Sequence, residues 1–162
     1  LSTTIRASQR LSTSITMAQH LRLTPQQWVG IVSDDLGDHR IYGKARQITD
    51  EITFRLSYAF SPDLSFQTYL QPFRAKVDYS DFVELTAPMT RHYVPVNYTD
   101  NNDFIMDNTI GTFVMRWEYL PGSVIYVVYN LNDQNYFSAS SDSWSPSKSN
   151  TLFIKLNYWF QA

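Results

Sequence analysis

Cysteine is absent from the 162 residues, so no disulfide framework, thiolate nucleophile or cysteine-based metal site is available. Charge is scarce and balanced, with 13 Lys and Arg against 15 Asp and Glu. A net charge of −2 gives no basic footprint for a nucleic-acid partner. No run approaches the roughly 20 apolar residues that a membrane-spanning helix needs. There is no leader-like segment, and Leu1 stands where a start methionine would, so the chain is read as a mature or excised piece of something longer. Catalytic signatures are missing as well. His20, His39 and His92 have no metal spacing, and no Gly-x-Ser-x-Gly, P-loop or dinucleotide fingerprint occurs. Neither enzyme activity, nor a bound metal, nor a cofactor is expected.

Aromatics, in contrast, make up 15% of the chain, with 11 Tyr and 10 Phe. They fall into stretches that alternate residue by residue. In Asn150–Phe160, Leu152, Ile154, Leu156, Tyr158 and Phe160 share one face. Thr151, Phe153, Lys155, Asn157 and Trp159 share the other. Six further stretches do the same. They centre on Thr3–Ile5, Leu11–Leu23, Ile52–Phe60, Leu64–Pro72, Phe113–Tyr119 and Ile125–Leu131. A period of two means strands with two distinct faces.

The connections alternate too. Short turns are expected at Ser8–Leu11, Ser61-Pro62-Asp63 and Leu120-Pro121-Gly122-Ser123. Long connections are expected at 24–49, 77–109 and 132–149. Within the first, residues 28–33 and 39–43 flank an acidic turn as a hairpin beyond the membrane, and the Ser-rich 138–149 reads as flexible. Short and long connections in strict alternation, with an aromatic-rich last strand, are the layout of outer-membrane barrels. The expected fold is therefore all-β: a single domain over 1–162, an antiparallel transmembrane β-barrel or its C-terminal portion. It has about 7–8 meandering strands, short periplasmic turns and long extracellular loops. Seven stretches are one short of the even number such barrels use, so either the chain holds one more strand that alternation does not mark or, the favoured reading, an upward strand precedes Leu1, with other strands or subunits completing the barrel.

Alternation places Arg6, His20, Arg22, Glu51, Arg55, Arg116, Glu118 and Lys155 away from lipid, since Arg or Lys on the lipid face costs roughly 2–4 kcal/mol at mid-bilayer. They form either a charged lining that selects solutes or structural ion pairs filling the interior. Glu51 with Arg55, and Arg116 with Glu118, are the pairs expected to neutralise each other. Loop aromatics, chiefly Trp28, Tyr42, Tyr98 and Trp144, either stack on sugar rings or pack loop against loop and against the interfacial girdle. Asp34, Asp35 and Asp38 suit a solvated turn better than a Ca²⁺ loop, because an EF-hand's distant Glu is missing.

Four phrases carry a resemblance. They are Phe60-Ser-Pro-Asp-Leu-Ser-Phe-Gln-Thr-Tyr-Leu-Gln-Pro-Phe73, Asp78-Tyr-Ser-Asp-Phe82, Arg116-Trp-Glu-Tyr-Leu-Pro-Gly-Ser123 and Lys155-Leu-Asn-Tyr-Trp-Phe160. Together they resemble the C-terminal barrel of an uncharacterised family of large bacterial outer-membrane proteins. Members of that family begin with a domain similar to family-9 carbohydrate-binding modules, a part this chain lacks. The resemblance covers most of residues 48–160. It implies a bacterial outer-membrane location, lipid as a partner and glycan as a possible ligand, and supplies no catalytic residues. Gln161-Ala162 after Phe160 departs from the family's aromatic end. A solute conduit or membrane anchor is the role expected. A soluble lipocalin-like or carbohydrate-binding module, and a surface adhesin or receptor barrel acting through its loops, are the alternatives.

Overall fold

The computed structural model describes residues 1–6, 8–87 and 89–160, with Arg6 described in its backbone only. It contains β1 (Ser2–Arg6), β2 (Leu11–Asp34), β3 (Gly37–Ala59), β4 (Leu64–Leu85), β5 (Tyr93–Pro95), β6 (Phe104–Leu120), β7 (Ser123–Ser138) and β8 (Ser143–Asn157). There is no helix among the described residues. The strands form one antiparallel sheet in the order β1-β2-β3-β4-β6-β7-β8, with the three-residue β5 paired to the end of β4. The extensive strand–strand contacts are all between ladder neighbours, so the described strands form a single layer with no second sheet packed on it. β1 and β8 are its edges; they do not pair, and the sheet does not close into a barrel.

Seven of these strands match the seven alternating stretches, and β5 is an eighth that alternation does not reveal. The three tight turns lie where Pro, Gly and Ser predict them. Ser8 Oγ accepts hydrogen bonds from the backbone N–H groups of Arg10 and Leu11, each at 3.1 Å. Ser61 Oγ repeats the device, accepting from Asp63 at 3.2 Å and Leu64 at 3.0 Å. The third turn uses Gly122, whose φ of +77° an L side chain resists.

The long connections differ from expectation. The segment 24–49 is mostly strand, since β2 and β3 stay paired up to Asp34↔Gly37. The segment 132–149 is also mostly strand: Ser143–Ser149, read as flexible, pairs with β7 from Ser138 down to Asn132. Apolar and polar residues do not alternate there with a period of two, so no pattern marks the strand. Backbone pairing needs no apolar side chain once a tight turn sets the register. Only 86–103, interrupted by β5, remains a long irregular connection.

The ladders sort every strand's side chains into two faces. Rows such as Thr13–Leu56–Thr68–Phe113–Tyr129–Leu152 and Leu11–Tyr58–Phe66–Met115–Val127–Ile154 make one face apolar. Rows such as Ser14–Arg55–Tyr69–Thr112–Asn130–Thr151 make the other polar. The fully buried apolar side chains, Ile41, Ala45, Ala75 and Val77, lie on the polar face towards the end remote from the tight turns. There the 86–103 connection folds back. Tyr98 stacks on Phe82 with ring centroids 4.9 Å apart, and Phe82 lies against Gly43, where an added Cβ would meet the ring at 3.0 Å. The backbone N–H of Tyr79 donates to Asp103 Oδ1 at 2.7 Å, which ties the connection down.

Candidate functional site

Seven of the eight charged residues singled out by alternation, all but Arg6, fall on the polar face. Arg6 pairs with Ser12 in the backbone ladder, but its side chain lies outside the described residues. The rest form three clusters along the strands.

Nearest the tight turns, Arg116 donates from Nη2 to Glu118 Oε2 at 2.6 Å, as expected of that pair. Glu118 Oε1 also accepts from the N–H of Gly122 at 3.1 Å, which joins the pair to the β6–β7 turn. Tyr126 is the ladder partner of both Arg116 and Lys155, so these two cations flank one phenol across three strands.

In the middle, the guanidinium of Arg55 lies 5.0 Å from the centroid of the Tyr69 ring. The Tyr69 hydroxyl donates to Gln71 Oε1, and Gln71 Nε2 donates to Glu51 Oε2 at 3.3 Å. Glu51 and Arg55 therefore do not neutralise each other directly. Four residues on a strand span roughly 13 Å, too far for contact, so cross-strand neighbours prevail over same-strand ones. A hollow of about 390 Å³ opens here, lined by Arg55, Ser57, Gln67, Tyr69, Thr112 and Val114. Its members other than Arg55 were not among the candidates, because a search for charge passes over Tyr and Gln. The alternation already placed Tyr69 and Gln67 on this face.

At the far end, Arg22 lines a cavity of about 180 Å³ with Gln47, Tyr79 and Phe104. His20, exposed, is in the adjacent ladder row facing Thr49.

The loop aromatics do not converge on one site. Trp28 and Tyr42 are ladder partners in edge-to-face contact at 5.4 Å, and Tyr42 meets Tyr93 in the same way. Tyr98 lies on the other face against Phe82. Trp144 packs on Phe137 at 5.2 Å at the β7–β8 tip. Each takes an aromatic neighbour of its own.

Among the described residues no group of three or more His, Asp or Glu side chains could hold a metal ion. Asp34 instead accepts from the Leu36 N–H at 2.7 Å and pairs with His39, and Asp38 accepts from Ser33 Oγ. The polar face offers hydrogen bonds and paired charges along its whole length. In the 86–103 connection Thr86 Oγ1 lies 3.1 Å from His92 Nδ1.

No curated protein and no solved structure matches the chain. A family model does match, over residues 1–161, and the chain belongs to that family, described as a domain of unknown function (DUF5916).

Proposed function

We propose that this chain is part of a bacterial outer-membrane β-barrel whose polar face lines a solute conduit, with strands outside these residues completing the barrel. The carrying observation is the apolar face and its shape. Leu152, Ile154 and Leu156 are 60%, 69% and 62% exposed on a single-layer sheet, and Met17, Leu21 and Trp117 are also uncovered. Such a surface is unfavourable in water by roughly 25 cal/mol per Å², and lipid removes that penalty.

The belt's direction supports the same reading. Its boundary crosses the ladder rows obliquely. One row starts with apolar Met17 and Ile52 on β2 and β3, continues through Pro72 and Thr109, and ends on charged Asp133 and Lys148. Those last two form an ion pair at 2.9 Å. At the opposite corner, apolar Tyr158 and Phe160 continue below the end of β8. Strands tilted by about 35–45° to a membrane normal need an oblique belt of this kind, because the water boundary cuts across the rows. A soluble sheet covered by a second layer has no such requirement. Open edges in lipid leave backbone groups unpaired, which is why further strands are invoked.

On the polar face between the tight turns and the Arg22 row, the cations Arg22, Arg55, Arg116 and Lys155 outnumber the carboxylates Glu51 and Glu118, and Glu84 farther out is paired with His39, which favours anionic solutes. The resemblance to carbohydrate-associated outer-membrane proteins adds acidic glycans as the class to try first. The test is planar-bilayer recording of the full protein in asymmetric salt. A reversal potential on the anion-preferring side is expected. Insertion without conductance would leave an anchor, and a chain that folds as a monomer without detergent would sink the membrane reading. The β2–β3 hairpin runs well past the belt, whose last apolar members there are Leu23 and Ile48, and this favours a surface-receptor role alongside the conduit.

A further inference from the structure

The apolar face carries a groove of about 620 Å³ across β2, β3, β4 and β6, at the belt edge remote from the tight turns. Its floor is Met17, Ile52 and Pro72. Its wall is the next ladder row, Gln19–Asp50–Arg74–Asp107. Proline inside a central strand is unusual, since it brings no N–H to the ladder. The β3–β4 register is unbroken here, but the two rungs between Glu51↔Phe73 and Phe54↔Leu70 are missing, while Pro72 still pairs with Thr109 on β6. In an antiparallel ladder this pattern means that the missing bond is the one from residue 72 to the carbonyl of Ile52. That carbonyl therefore has no ladder donor at the edge of the apolar belt, where an unmet acceptor is costly.

The wall row has two further open valences. Asp50 accepts from Gln19 Nε2 at Oδ1 (2.6 Å), and among the described residues no cation pairs with it. Arg74 engages Asp107 through Nε at 3.4 Å, and its side chain is 56% exposed. Asp50 and Arg74 are direct ladder partners. An anionic acceptor, a cationic donor and an unmet carbonyl thus stand together over an apolar floor.

We infer that this groove is a lipid site for a phospholipid whose headgroup carries both a phosphate and a primary ammonium. The phosphate sits on Arg74, the ammonium donates to Asp50 and the Ile52 carbonyl, and an acyl chain lies along Met17, Ile52 and Pro72. A purely anionic headgroup fits worse, because Asp50 and Asp107 flank the arginine. A trimethylammonium headgroup has no N–H to give.

The site rests on the membrane reading and is tested separately from it. The full protein, folded in detergent, is loaded with phosphatidylethanolamine, phosphatidylcholine or phosphatidylglycerol and examined by native mass spectrometry. Phosphatidylethanolamine is expected to be retained at least about tenfold more than the other two, the lower end of the effect of one net hydrogen bond to a charged group. Asp50→Asn should erase its advantage over phosphatidylcholine. Arg74→Gln should weaken all three, and Pro72→Ala, which restores an N–H for Ile52, should reduce the ethanolamine preference. Equal retention of the three lipids, or retention unmoved by Asp50→Asn and Arg74→Gln in detergent-folded protein, overturns the site and leaves the membrane reading standing. A protein that folds as a soluble monomer overturns the membrane reading itself.

Discussion

His39 Nδ1 lies 2.8 Å from Glu84 Oε1, so a residue near the tip of the β2–β3 hairpin is fastened to the far end of β4. The other ring nitrogen, Nε2, is 3.0 Å from Asp34 Oδ1. Protonated, the imidazole donates to both carboxylates. The bond with Asp34, then that with Glu84, raises the His39 pKa above its usual 6.5. The Leu36 N–H, then His39, holds Asp34 below its usual 3.8.

A pH dependence of the hairpin follows from those directions. The His39 contribution is complete below about pH 6.5 and is lost as pH rises through its raised value. The Asp34 contribution is present above about pH 3.8 and is lost as pH falls through its lowered value. Amide exchange over residues 30–40, corrected for intrinsic rates, should be slowest between about pH 4 and 6.5. His39→Gln should flatten the profile, and a variant that keeps the wild-type pH dependence would refute the assignment.

Gly122 and Trp159 set a second prediction. A Cβ on Gly122 would lie 3.1 Å from Trp159 Cβ and Cγ, at a φ of +77°. The same tryptophan donates its backbone N–H to Ser123 Oγ at 3.0 Å, and Ser123 is buried. Gly122→Ala should therefore destabilise the turn by about 1–3 kcal/mol. It should also loosen Trp159, read as a shift in tryptophan emission together with a lower denaturation midpoint. An unchanged midpoint would remove the steric argument.

The two faces of β8 should respond oppositely to charge. Ile154→Arg on the apolar face should cost roughly 2–4 kcal/mol of stability in bilayers, whereas Thr151→Arg on the polar face should cost little. Reversible unfolding from vesicles measures both. Equal costs would mean that the faces are not differently solvated.

Charge reversal on the polar face should change selectivity more than stability. Arg55→Glu replaces the cation stacked on Tyr69 with an anion near Glu51, and should move the reversal potential towards cation preference. Gln71→Ala, which cuts the Tyr69–Gln71–Glu51 chain without altering charge, should leave the potential where it was. A shift of equal size in both variants would point to collapse of the lining instead of its field.

How much of this was legible in the chain depends on where apolar and polar residues alternate. Across Leu11–Leu23, Ile52–Tyr58, Phe113–Trp117 and Leu152–Leu156 they do, and strand, face and neighbour order follow from the sequence. The outer halves of β7 and β8 are largely polar, and in those of β2 and β3 apolar residues fall on both faces (Ile41 and Tyr42) and bulges interrupt the period, so no alternation distinguishes paired strand from loop there. The Arg116–Glu118 pair was legible because two residues on a strand lie on one side within reach. The Glu51–Arg55 pair misled because four residues do not.

By itself, the sequence determined that this is an antiparallel meander with one apolar and one polar side, because side-chain period and turn chemistry are local properties. Only the tertiary structure decided which residues meet across strands: Arg55 with Tyr69, His39 with Glu84, Tyr98 with Phe82. Register sets those partnerships, and register is fixed jointly by turn lengths and bulges, neither of which a single strand's pattern contains.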